Sequence, residues 1–197
     1  GTLGINSGVL LTSGKATNVM APASSQNDAS FGLGDPDFDF LASGGTGKDA
    51  CFLQFTFIPI GDSIVVNYVF ASEEYPEYAC SSFNDVFGFL LKSPLPVFPP
   101  NVFKNIALVP GTTIPVKINT VNPGAGANGD LPNCTSQGTG SPFTQYYRNN
   151  STNQYIIYDG MTTVLTARAK VVPCQPNTIK IGVEDITDGV FDSGVFI

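Results

Sequence analysis

Histidine and tryptophan are absent from this 197-residue chain, and charge is scarce, with nine Lys and Arg, 16 Asp and Glu, and 13% charged residues in all. Without histidine there is no Ser-His-Asp or Cys-His relay and no imidazole to hold a metal. A formal charge of −7 and a pI near 4.3 leave no basic footprint for a phosphate backbone, so no nucleic-acid partner is expected. No apolar run approaches the roughly 20 residues that cross a bilayer, so this segment is not expected to insert into a membrane. The N-terminus lacks a basic-plus-apolar secretion signal. The missing tryptophan also removes the usual stacking platform of a sugar-cleaving cleft, where two carboxyl groups would stand about 5–10 Å apart. No catalytic residue is therefore assigned.

What the chain does have is turn formers and apolar bulk: 21 Gly, 15 Pro, 15 Phe and 42% hydrophobic residues. Such a chain can bury a core, unlike a low-hydrophobicity disordered segment. Gly and Pro recur every 8–15 residues and no helical period stands out, which is the spacing of short strands. Strands are predicted at Val9–Ser13, Cys51–Ile58, Ser63–Ser72, Val86–Leu91, Asn105–Val109, Thr113–Val121, Gln154–Tyr158, Thr162–Val172, Thr178–Ile186 and from Gly194. In Ser63–Ser72 the residues Ile64, Val66, Tyr68 and Phe70 share one face, while Val65 and Val69 on the other suggest a strand covered on both sides. Residues 122–142 form a long polar loop. The expected fold is all-β: a two-sheet antiparallel β-sandwich, jelly-roll-like with long polar loops, a closed barrel being the alternative. The length suits one domain over 1–197, and the strand-like run at Ile197 reads as a domain excised from a larger polypeptide.

Four cysteines without a CxxC pattern point to two disulfides in an oxidising compartment. Of the three pairings, Cys80–Cys134 would join two polar loops and Cys51–Cys174 two strand edges.

Eleven of the 16 carboxylates lie in three segments, 35–39, 73–85 and 184–192. Clustered carboxylates repel, and a hard cation with oxygen ligands is the natural remedy in a chain without histidine. Calcium is the expected cofactor, with Asp37, Asp39, Glu73, Glu74, Asp85, Asp188 and Asp192 as candidate ligands. Asp35, Asp37 and Asp39 would share a face if that segment were extended. Tyr75, Tyr78 and Asn84, beside the second segment, are candidates for contact with a surface glycan or protein ligand.

Several motifs occur in order: Phe70-Ala-Ser-Glu-Glu-Tyr-Pro-Glu-Tyr78, Ser82-Phe-Asn-Asp-Val-Phe-Gly-Phe89, Asn105-Ile-Ala-Leu-Val-Pro-Gly-Thr112, Pro115-Val-Lys-Ile-Asn-Thr-Val-Asn122, Tyr158-Asp-Gly-Met-Thr-Thr-Val-Leu-Thr-Ala167 and Asp188-Gly-Val-Phe-Asp-Ser-Gly-Val-Phe196. Together they resemble the choice-of-anchor L domain of bacterial surface proteins, from about Gly14 to Ile197. The resemblance implies a secreted or cell-surface protein of the Bacteroidetes type, with large adhesin-like parents and varied anchors. It implies no characterised activity and no catalytic residue. The reading is a non-enzymatic, calcium-stabilised adhesin module that attaches to a ligand, with a carbohydrate-binding module and a self-associating fibre or stalk subunit as alternatives.

Overall fold

A computed structural model of the chain describes residues 3–20, 32–42, 45–94, 97, 99, 102–152 and 156–197. In chain order its elements are β1 (Leu10–Thr12), α1 (Pro36–Asp39), β2 (Gly47–Phe57), β3 (Ser63–Ser72), β4 (Val86–Lys92), β5 (Lys104–Asn105), α2 (Leu131–Thr135), β6 (Tyr147–Asn149), β7 (Gly160–Thr162), β8 (Leu165–Lys170), β9 (Asn177–Ile186) and β10 (Ser193–Phe196). One sheet runs β1-β10-β3-β7-β6, with β8 also on β3; the other runs β2-β9-β4-β5. Every strand pair is antiparallel. The sheets stay open rather than closing on each other, so the fold is a β-sandwich and not a barrel.

Period-two alternation aims one face of each long strand into the shared core. Tyr68 and Phe70 of β3 meet Phe87 and Phe89 of β4, with ring centroids 4.9–5.0 Å apart across the layers. Ile179, Ile181 and Val183 of β9 complete that layer. The outer face of β3 is covered at one end only: Val69 and Ala71 pack with Ile156, Ile157 and Tyr158, whereas Val65 is 46% exposed. On the outer face of the second sheet, Phe38 and Leu41 from α1 and the turn after it cover Val86 and Leu90.

Three strand predictions are revised. Asn105–Val109 and Thr113–Val121 make a two-residue strand and isolated bridges, Leu108 to Pro115 and Val86 to Lys117, around the tight turn at Gly111. Within Gln154–Tyr158, residues 154 and 155 lie outside the described residues, and Ile156 bridges Met20. The 35–39 segment is helical, with the Asp35 carboxylate accepting from Asp37 N at 2.9 Å as an N-cap and Pro36 in the first turn.

Cys80 and Cys134 form a disulfide across 54 residues. The Cys51–Cys174 pairing is incorrect, because both thiols are free. Cys51 faces Val183 well up the β2–β9 ladder, while Cys174 N donates to Pro59 O beyond the far end of β2. Eight residues of extended chain separate those points, roughly 26 Å, far beyond disulfide reach.

Candidate metal centre

The inward period of β9 does not stop at Val183: two residues on, Asp185 points the same way. The inward period of β4 (Phe87, Phe89, Leu91) extends backward to Asp85. The ladder between these strands begins at Val86 and Glu184, so Asp85 and Asp185 stand one step beyond it as neighbours. On the other side of β9, β2 carries a bulge between Lys48 and Cys51, where Asp49 adopts φ 51°. One end of the second sheet thus turns Asp85 and Asp185 toward the interior, with Asp49 buried nearby and its Oδ1 accepting from Gly32 N.

The first sheet answers from above. Ser72 pairs with Ser193, and at the next step Glu73 N donates to Asp192 O at 3.0 Å. Asp192 N in turn points at Glu73 Oε2 at 3.4 Å. Glu74 follows, its N–H capped by Ser72 Oγ at 2.9 Å. Ser193 Oγ donates across the layers to Asp85 Oδ2 at 2.7 Å, and Ile186 N donates to Asp85 Oδ1 at 2.9 Å. Glu73, Glu74, Asp85, Asp185 and Asp192 are each less than 5% exposed. Asp188, in the loop after β9, is half-buried at the margin, its Oδ1 accepting from Val190 N.

Burial of so many carboxylates has a large electrostatic cost unless something neutralises them. Burial pushes Glu74 far above the carboxylate range, aided by Asp85, Asp188 and Glu73. Burial likewise raises Asp85 against the opposing hydrogen bonds from Ser193 and Ile186, with Asp188 and Asp192 adding to the rise. Asp185 is raised by burial first and by Asp85 next, with Ser13 tempering the rise and Asp192 and Asp49 adding to it. Neither Asp185 oxygen accepts a hydrogen bond of good geometry, and the Ser13 hydroxyl donates instead to Ser193 O at 3.3 Å. Glu74 Oε2 and Asp49 Oδ2 are sealed in the same way. Sealed, unpartnered carboxylate oxygens are the donor set that a hard cation takes. No three such groups among the described residues already stand at the spacing that a bound ion requires, so an ion would have to draw them together.

Asp37 and Asp39 belong elsewhere. They lie on the outer face of the second sheet, where Lys180 Nζ pairs with Asp37 Oδ2 at 2.8 Å and with Asp35. Asp39 Oδ1 accepts from Gly47 N at 3.3 Å. Lys180 also lies 4.2 Å from the Phe52 ring centroid. Asp35 N donates to Glu184 Oε2 at 2.6 Å, and burial pushes Glu184 up to about 7. This group fastens α1 to the sheet. Replacing Lys180 with Met is expected to cost about 1–3 kcal/mol, less than a fully buried pair because Asp37 is 43% exposed; urea unfolding measures it.

Tyr75 is not available as a ligand contact. It is fully buried, and its hydroxyl donates to Val121 O at 2.6 Å. Tyr78 is half-buried against the rings of Phe83 and Phe191, 5.3 and 5.5 Å away. Asn84 is 5% exposed, and its Oδ1 accepts from Asn119 N at 2.8 Å. The sequence reading missed Asp185 and Asp49. The signal for Asp185 was the strand period itself, which puts a carboxylate on a core-facing position; Asp49 depends on a bulge that no pattern announces.

The chain is thus a two-layer antiparallel sandwich with buried carboxylates gathered at one sheet end. The sequence profile of the choice-of-anchor L domain matches residues 1–197, and the chain belongs to that family. The family's name denotes anchoring rather than a reaction, and it marks a surface-associated or secreted bacterial protein. No curated protein and no solved structure matches the chain.

Proposed function

We propose that this chain is a non-catalytic module of a bacterial adhesin whose sheet-end carboxylates close on calcium, and that it serves attachment at the cell surface. The observation that carries the reading is Asp185, 1% exposed among other carboxylates, with neither oxygen in a hydrogen bond of good geometry. Asp85, Glu74, Glu73, Asp192 and Asp188 supply the oxygen atoms around it, a set that suits six- to eightfold oxygen ligation. Their burial speaks against substrate contact, so the raised proton affinities serve cation capture rather than acid–base chemistry. Equilibrium dialysis against calcium tests this: at least one ion per chain is expected, and none would end the proposal.

Gly14 offers a second check. A Cβ at that position would overlap the Asp192 carboxylate. Gly14→Ala is expected to weaken calcium binding by about tenfold or more, as displaced ligands and their supports do, in an isothermal titration.

Self-association is the second reading. On the edge strand β2, inward-facing Leu53 and Phe55 remain 47% and 43% exposed, and an open apolar edge can pair with a second copy. Sedimentation at rising concentration checks it: a species that stays monomeric would count against it.

A further inference from the structure

A cavity of about 370 Å³ opens beside the carboxylate cluster, within the size range of small-ligand sites. Its walls come from five places: the 81–84 turn before β4, Asn119, α2 and the two residues after it, Thr187 beyond β9, and Ala42 with Gly45 past α1. Among the described residues every polar side chain lining it is an amide or a hydroxyl, and none is charged.

The walls are held rigidly. The Cys80–Cys134 disulfide ties α2 to the 81–84 turn. Asn119 braces the same turn, its Oδ1 accepting from Cys80 N at 2.8 Å and its Nδ2 donating to Ser81 O at 2.7 Å. Asn133 Nδ2 donates to Cys80 O at 2.9 Å, and Thr187 Oγ1 donates to Ser82 O at 3.1 Å. Asn119 spends both ends of its amide in this way, whereas other lining groups keep one end unspent. Asn84 Nδ2, Asn133 Oδ1, Gln137 Oε1 and Ser82 Oγ make no hydrogen bond among the described residues. Asn84 is the most telling, a nearly buried amide fixed through its oxygen with its donor end neither engaged nor sealed.

We propose that this pocket binds a neutral saccharide. Preorganised amide donors, amide acceptors and hydroxyls match the amphoteric hydroxyls of a sugar ring. Ala42 and Gly45, the described lining residues without a polar side chain, are too small to form a socket for a large apolar side chain. No cationic side chain among the described residues lines the pocket, so nothing there pairs with the carboxylate of an anionic sugar. Binding here would not require calcium, because no carboxylate among the described residues lines the cavity.

Saturation-transfer NMR with a panel of neutral hexoses, N-acetylhexosamines and their disaccharides tests it at about 10 mM, where even millimolar affinity registers. At least one member is expected to bind, and uronic acids are expected not to. Ser82→Trp, at an exposed position, should fill the pocket, and Gln137→Ala should remove an acceptor. Each should lower affinity by about tenfold or more with an unchanged melting temperature. Silence across the panel, equal binding of uronic acids, or undiminished binding by the Ser82→Trp chain would overturn the proposal.

Discussion

Adding calcium to the chelated protein at pH 8 is expected to raise its melting temperature by about 5–10 °C, and the same addition at pH 5 to raise it far less. The size follows from linkage: a ligand at a hundred times its dissociation constant contributes about 2.7 kcal/mol, and a chain of this length gains about 2–4 °C per kcal/mol. The pH dependence follows from the direction of the proton affinities. Asp85 is raised to about 7 and Glu74 to about 10 in the fold, above the values of the unfolded chain. Each therefore keeps a proton in the fold at a pH where the unfolded chain has lost it. Without a cation, their contribution is fully present below about pH 4 and is lost as pH rises through 7 and on toward 10. On the proposed reading calcium would take the place of those protons, so its gain would grow as they leave. Asp185→Asn removes one of the buried charges that the proposed ion would compensate. It is expected to raise the chelated melting temperature at pH 8 and to abolish the calcium response. Calorimetry at the two pH values, with and without chelator, decides it; a calcium shift equal at both would defeat the account.

Replacing Cys80 and Cys134 together by Ser lowers stability by about 4 kcal/mol, or about 8–16 °C, from the entropy returned to an unfolded loop of this length. The cross-link spans 54 residues, and both cysteines are fully buried. It is also what holds α2 against the 81–84 turn, so the double variant should lose any saccharide response of the pocket while keeping its calcium response. The same structure predicts two free thiols per unfolded, unreduced chain, Cys51 and Cys174. A thiol titration reads that number directly, and a value of zero would restore the second disulfide.

Much of the fold was legible in residue order. The alternation in 63–72 and 178–186 placed Tyr68, Phe70, Ile179 and Ile181 in the core, where they lie. It worked because long strands buried on one face obey a local period of two. The 105–121 region defeated the same reasoning, since its apolar residues enter the core from turns and isolated bridges rather than from a ladder. Tyr75 was misplaced for a related reason: a tyrosine beside two glutamates reads as a loop aromatic, yet its hydroxyl finds Val121 O and the ring can be buried whole.

The candidate centre divides along the same line. Composition alone excluded imidazole chemistry and directed any cation toward oxygen ligands, because ligand type is a property of residue content. It also showed that carboxylates gather in three segments. Which segments meet was a tertiary matter. The 73–85 and 184–192 segments converge because strand register sets Asp85 beside Asp185 and Glu73 beside Asp192. The 35–39 segment does not join them, because its helix packs on the opposite face of the sheet and spends its carboxylates on Lys180 and the backbone. Cysteine pairing was decided in the same way. Sequence spacing left three pairings open, and only distance in space, set by how far along a ladder each cysteine stands, separates the bonded pair from the two free thiols.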